Sequence, residues 1–409
     1  MASKSTAAEV SVSEPEQLPG ILSKYNHAGW WSPIAAGPDG TIYVSYLFAS
    51  KPADDVYVAR RSPDGKWTAS STGHTSHYDL GHTQSCIAVD GQGFLHVTFG
   101  MHSRHGMKIA ISNKPGDVAG GFTLQTSDAF AGGMYTYPSL TRTPDGDVYM
   151  IIRDVRKGGE DRRGRLFRFD NESRTWSELP PFAGEVGTTI YPDAVLADSK
   201  GDVHILWEWM PGGAGASRHC GSYARYSPAT KTFYRADGTA YGSTPIRRDA
   251  ADLYQPLEGR ETFTRGVFGV QSAKMALDDQ GNPIVAYSYS PDGTDKGFEH
   301  RLARWTGKEW ARQTMTKGPF DFDKPWVGYS GGTLRYYDAV SPADPLHSGK
   351  DEIFLRVSRD LGKTWSDPTP VAKGIDVQRP IGVTVDGTDY LYLPSTSAGR
   401  LYVVAVKVK

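Results

Sequence analysis

Three observations predict an all-β chain. The sequence holds 46 Gly, 26 Pro, 22 Tyr and 10 Trp, and turn formers combined with aromatics favour many short strands over helices. Alternating apolar stretches are split throughout by turns of the type Asp-Gly or Asp-x-x-Gly, the pattern of β-hairpins. That hairpin also recurs along the chain, which points to a repeated architecture.

The copies run Pro33–Phe48, Cys86–Gly100, Ser139–Asp154, Asp193–Trp209, Ala273–Tyr289, Thr333–Ser358 (the most irregular) and Ile381–Thr396. A second hairpin ending in an aromatic follows most of them: Tyr57–Trp67, Leu166–Trp176, Tyr223–Phe233, Leu302–Trp310 and Phe354–Trp365. Repeats at intervals of roughly 40 to 80 residues suit four-stranded blades set around an axis, so the expected fold is a seven-bladed β-propeller. The segment from Ser358 to Trp365 fits the S-x-D-x-G-x-x-W turn of Asp-box propellers. The competing architecture is an unclosed pair of β-sandwiches. With no linker-like shift in composition, residues 21–409 are expected to form one domain behind a flexible lead-in of residues 1–20.

Size and charge narrow the function. A net charge of −1 over 409 residues argues against a general nucleic-acid or membrane-surface binder. No apolar run is long enough to span a bilayer. Two cysteines, Cys86 and Cys220, provide no disulfide framework. The polar N-terminus lacks the apolar core of a signal peptide, and is either disordered or the remnant of a removed export signal. The expectation is a secreted or periplasmic monomer.

The stretch Gly81–Asp117 concentrates four of the eleven histidines: His82, His96, His102 and His105. It reads as a hairpin with strands Cys86–Val89 and Phe94–Phe99 around a turn at Asp90–Gly93. His82 stands before the first strand and His102 after the second, so the hairpin brings its two ends together. His96, within an apolar strand, reads as a hydrogen-bonded core residue. Tyr137, ahead of the third repeat, and Arg153, at the end of that repeat's second strand, occupy matching positions. In a propeller these places crowd around the axis.

Two His, a Tyr and an Arg suit β-elimination beside a uronate carboxylate. Arg offers a two-pronged donor that neutralises the carboxylate, so charge developing at C5 delocalises. His and Tyr supply a base for the C5 proton and an acid for the leaving oxygen. For Arg153 the plain alternative is an ion pair with Asp154.

The segments GHTQSCIAVDGQGFLHVTFGMH from Gly81, TYPSLTRTPDGDVYMIIRD from Thr136, DVHILWEWM from Asp202 and HCGSYARYS from His219 resemble the BNR-repeat polysaccharide lyases. These include ulvan lyases and related rhamnose–glucuronate lyases, which are seven-bladed propellers. The resemblance covers about Asn26 to Gly238 and thins afterwards. It implies that His82, His102, Tyr137 and Arg153 are catalytic, with Tyr and one His moving protons while the other His and Arg hold the uronate. It leaves open which His does which. The chain departs from the pattern at Gly81-His82-Thr83, where relatives have Asp-His-Asn, so either Gln84 replaces the missing amide donor or the carboxylate rests on Arg153 alone. The expected function is a lyase of ulvan type. The alternatives are an exo-acting lyase on plant-gum side chains, a sialidase-like hydrolase, and a non-catalytic glycan-binding propeller.

Several residues carry weaker expectations. His105 either lines the cleft or is a solvated loop residue. Arg156 belongs to a basic loop from Arg153 to Arg165 that either steers a polyanion or is simply solvated. Trp207 and Trp209, with Tyr226, either stack on sugar rings or pack in the core. His204, His219 and Cys220 form a zinc-compatible set one ligand short of a structural site; the related lyases carry metal ions away from the chemistry. A structural Zn or Ca ion is therefore an expectation, with no cofactor required for the reaction.

Overall fold

The computed structural model describes residues 9–26, 31–79, 82–103, 105–155, 162–213, 215, 217–259, 263–295, 297–320, 324–340, 352–377 and 379–409. Nearly all regular structure is antiparallel strand, as the hairpin pattern predicts, with two single-turn 3-10 segments at Asp128–Phe130 and Arg248–Ala250.

The strands form sheets in chain order. One holds Ile34–Ala36, Ile42–Phe48, Asp54–Arg61 and Trp67–Ser76; the next holds Cys86–Val89, Leu95–Thr98, Ile109–Ser112 and Phe122–Leu124. A nine-stranded sheet contains two consecutive antiparallel meanders, starting at Tyr135 and Thr188, joined by one parallel pair, Arg162 with Thr189. Two further four-stranded sheets begin at Val270 and Trp326, and the last holds Ile381–Val385, Thr388–Ser395 and Arg400–Val408. The first strands touch in a closed cycle: Ile34–Ala36, Cys86–Val89, Tyr135–Arg142, Thr188–Ala197, Val270–Leu277, Trp326–Ser330, Ile381–Val385 and back to Ile34–Ala36. Each contributes to the lining of a central cavity of about 460 Å³, including Ile34, Ala88, Leu140, Ala194, Met275, Val327 and Gly382.

The sheets pack face to face, so both faces of most strands are apolar. One core cluster joins Cys86 and Ile109 to Tyr135, Val148 and Phe167 of the following sheet; another joins Val44 and Tyr46 to Tyr392 and Val403. The second cluster stitches the end of the chain to its beginning.

Of the lead-in expected over residues 1–20, residues 1–8 lie outside the described residues, and the remainder carries two short strands. Val10–Val12 and Glu16–Gln17 pair with the final strand Arg400–Val408. An outermost strand exposes unpaired backbone donors and acceptors, and the alternating Val10 and Val12 cover that edge. The ring is thereby closed by both ends of the chain. The Asp-box turn is present as read: the Asp360 carboxylate accepts from Ser358 Oγ at 2.7 Å and from the Thr364 amide at 2.9 Å. These bonds outweigh the effect of burial and hold the Asp360 pKa at about 2.

Candidate active site

The histidine hairpin forms with the expected strands, Cys86 pairing with Thr98 and Val89 with Leu95. Its two ends meet. The imidazoles of His82 and His102 stack with centroids 3.8 Å apart and planes 3° from parallel. One carboxylate holds both: Asp79 Oδ1 lies 2.9 Å from His82 Nδ1, and Asp79 Oδ2 bonds His102 Nδ1. Each of the three side chains is about a third exposed or slightly less. Burial alone would raise the Asp79 carboxyl, but hydrogen bonds from the two imidazoles hold it below its ordinary value. His82 is pushed down, first by burial, then by the like charge of His102 and, from further off, by Arg153. Neutral imidazole is therefore its resting form near pH 7.

Tyr137 comes from the next sheet, 5.8 Å from the His82 ring. The strand Tyr135–Arg142 carries a register break between Thr136 and Ser139, and Tyr137 sits in it at φ 62°. A bulge redirects one side chain, and a positive φ at a non-glycine residue costs about 1 kcal/mol or more. Surrounding structure must hold it. The Tyr137 ring stacks on Trp31 at 5.8 Å and lies 4.5 Å beneath the Arg153 guanidinium. Burial raises the pKa of its hydroxyl, with Arg153 opposing, so the phenol is protonated at neutral pH.

Arg153 is only 1% exposed. One nitrogen donates to Ser103 Oγ at 3.3 Å, while Nε and Nη1 have no hydrogen-bond partner. The expected alternative partner, Asp154, is instead 3.3 Å from Arg165. A buried guanidinium with two unused donors is costly unless something anionic completes it.

The structure adds two residues to this set. Tyr191 lies 5.4 Å from Tyr137 and 4.9 Å from the Arg153 guanidinium. Arg218 also lies over the Tyr191 ring, at 4.1 Å, and is itself anchored by Glu208 at 3.1 Å and Gln271 at 2.6 Å. The signal for Tyr191 was in the sequence: Tyr191-Pro192 repeats Tyr137-Pro138 at the same place in the next copy. Asp79 carried a fainter one, three positions before His82.

The remaining predicted residues divide. Gln84 is buried, and neither atom of its amide has a hydrogen-bond partner. His105 is exposed beside the site, its ring 4.6 Å from that of His77. Arg156 lies outside the described residues.

Trp207 and Trp209 do not present a face to a sugar. Both are fully buried in the core between sheets, and Trp209 Nε1 donates to Ser222 Oγ at 2.8 Å. The apolar strand Val203–Pro211 is covered on both faces, which leaves no room for a ligand.

The metal set His204, His219 and Cys220 is not assembled either. His204 uses Nδ1 with the Tyr223 hydroxyl at 2.8 Å and Nε2 with Asp198 at 3.4 Å. His219 Nε2 meets the Thr264 carbonyl oxygen at 2.8 Å. Cys220 is buried, and desolvation pushes its thiol up to about 12. Among the described residues, the group whose donor atoms lie close enough to share a cation is Asp79, His82 and His102. Both Nδ1 atoms already bond the Asp79 carboxylate.

Residues 41–317 match the model of the BNR repeat-containing family. The chain belongs to that family. No curated protein matches it. Among solved structures, it resembles the polysaccharide lyase Uly1, with a TM-score of 0.71 at 13% identity over 97% of this chain and 100% of that one. It also resembles a PL25 ulvan lyase bound to -[GlcA(1-4)Rha3S]-, with a TM-score of 0.68 at 15% identity over 95% and 93% of the two chains. An α-L-arabinanase of Penicillium chrysogenum follows at 0.52 and 13% identity, covering 97% and 98%. At such identities this BNR-family chain shares a fold with all three, and its chemistry has to be argued from its own side chains.

Proposed function

We propose that this protein is a polysaccharide lyase that cleaves a rhamnose–glucuronate bond by β-elimination, with ulvan or a similar uronate polymer as substrate. The observation that carries this reading is Arg153: a buried guanidinium with two unsatisfied donors, placed against a tyrosine and beside a histidine pair. A uronate carboxylate completes those donors, and its neutralisation makes the C5 proton removable. His82, whose low pKa keeps it neutral, is the base for that proton. Tyr137, kept protonated by burial, delivers a proton to the 4-oxygen as the sugar leaves. His102 holds the substrate beside it. Atoms balance: C5 loses a proton to His82, the C4–O4 bond breaks, a C4=C5 double bond forms, and O4 takes the Tyr137 proton.

The likeness to ulvan lyases supports the substrate class. We read the nine-stranded sheet as two blades, which makes the fold a seven-bladed propeller spanning residues 21–409 with the N-terminal strands added to its last blade. Every step is assigned to a side chain, so no cofactor is called for, and any resident metal would be structural. A secreted or periplasmic monomer acting on a polymer outside the cell fits this chemistry.

The test is to incubate the protein with ulvan and with gum arabic and follow ultraviolet absorbance of the unsaturated uronate. Absorbance rising with new reducing ends is the expected result. Reducing ends without absorbance would replace elimination by hydrolysis.

A further inference from the structure

We propose that Asp79 is a positioning residue that makes His82 and His102 a single proton-transfer unit, fixing both rings in one tautomer with both Nε2 atoms turned away from it as acceptors. The use of that unit in catalysis rests on the elimination reading above; its geometry does not.

A neutral imidazole has one donor and one acceptor nitrogen, and the bond made by one nitrogen decides the state of the other. An ionised carboxylate only accepts. Asp79 meets Nδ1 of both rings, one on each oxygen, so both Nδ1 atoms carry protons. Both Nε2 atoms are then acceptors on the far sides of their rings. The stacking, 3.8 Å apart and 3° from parallel, follows from two rings hanging from one small carboxylate.

The same geometry limits the unit to one extra proton. A second imidazolium would lie face to face with the first, and only one carboxylate is available to compensate them. The other groups facing the pair offer no further anion among the described residues: Arg153 and Tyr137 come from the neighbouring sheet, and His77 with His105 from the flanking loops. The unit therefore alternates between two neutral rings on a carboxylate and one imidazolium on a carboxylate. When one Nε2 accepts a proton, the charge it gains is matched by Asp79.

The test uses full-length protein with ¹⁵N-labelled histidine and reads tautomers in long-range ¹H–¹⁵N spectra. Both His82 and His102, assigned from single His→Gln variants, are expected as Nδ1–H tautomers above the imidazole titration. In Asp79→Asn the amide must donate to one ring, so one histidine is expected to switch to Nε2–H. Either ring appearing as Nε2–H in the unsubstituted protein would overturn the proposal, as would unchanged tautomers in the variant. Kinetics on the uronate polymer give a second readout: Asp79→Asn is expected to lower kcat by on the order of 10²–10³-fold, a wrong-tautomer effect. KM should stay within about threefold, the acid limb of the pH profile should move, and Asp79→Glu should recover part of the rate. An unmoved kcat and pH profile would remove Asp79 from the mechanism. The spectra need no substrate, so a failure of the lyase reading leaves the tautomer result standing and readable.

Discussion

Two kinds of His–Asp arrangement occupy one stretch of this chain, and they serve opposite ends. His96 Nε2 bonds Asp90 Oδ2 at 2.9 Å, with both side chains fully buried; Arg174 donates to the same oxygen, and the Gln92 and Phe94 amides donate to Oδ1. A few residues away, Asp79 holds His82 and His102 at a third exposed. The bonding chemistry is the same; the surroundings differ. Around His96 the carboxylate is satisfied, and Phe169 and Trp176 pack edge-on against the ring. Around His82 and His102 the rings face Tyr137 and Arg153, and two of the Arg153 guanidinium nitrogens have no hydrogen-bond partner. The contrast lies in what surrounds each pair: aromatic rings pack around His96, whereas the His82–His102 pair is partly open and stands beside a buried guanidinium.

The inert arrangement is a repeated device. Asp90 and His96 stand six apart, and so do Asp198 and His204, each with the aspartate at the hairpin turn and the histidine on the following strand. His204 is the fourth repeat's counterpart of His96. Each ties its strand to its own turn.

The sharpest way to break the comparison is to remove the unspent cation. Arg153→Met should lower the rate of uronate elimination by on the order of 10³-fold or more, because carboxylate neutralisation is the main electrostatic contribution. It should not destabilise the protein: the variant replaces a buried, half-satisfied charge with an apolar chain. Denaturant midpoints beside initial rates decide it, and a large loss of stability would make Arg153 a structural residue.

The opposite pattern is expected for the inert pair. His96→Ala should cost about 3 kcal/mol, from a lost charge-assisted hydrogen bond and a cavity, while the specific activity of folded protein stays within about twofold. His204→Ala should behave alike at about 2 kcal/mol, with no change in bound zinc. A drop in stoichiometric metal content on removing His204 would restore the metal site rejected above.

How much of this was legible follows from the same contrast. The hairpin repeat, and with it the strands and the meeting of His82 with His102, could be read because turn residues and alternation are local signals. His96 was placed in the core by its apolar strand. His204 has the same context, and was misread because a neighbouring His-Cys pair at positions 219–220 suggested ligation. Trp207 and Trp209 failed for a related reason: alternation cannot tell a strand covered on one face from one covered on both. Tyr191 was missed although its Tyr-Pro repeats that of Tyr137. Arg218 and Glu208 were beyond reach, since their pairing depends on how successive sheets pack. The N-terminal strands were hidden by distance, because their partner is the last strand of the chain.

The smallest effect, and the most diagnostic, is the pH response of the two regions. In the site, His82 is held below its ordinary value of 6.5 and the Tyr137 hydroxyl above 10. Elimination should therefore rise as pH climbs through a point below 6.5, where the base loses its proton, and fall again only above 10, where the acid loses its own. In the core, His96 is likewise lowered by burial, but the consequence appears in stability. Above pH 6.5 it is neutral both folded and unfolded and contributes no pH dependence. Below 6.5 the unfolded chain takes up a proton that the folded chain refuses, so stability is lost as pH falls. Asp90 adds in the same direction: burial raises it, but the bonds from His96 and Arg174 outweigh that and hold it low, so protonating it in acid also costs stability. His96→Gln should flatten the acid slope of the denaturation midpoint without moving the acid limb of the rate, whereas His82→Gln should remove most of the rate together with the part of that slope that the lowered His82 contributes. His96→Gln moving the acid limb of the rate would mean that the two arrangements are a single network.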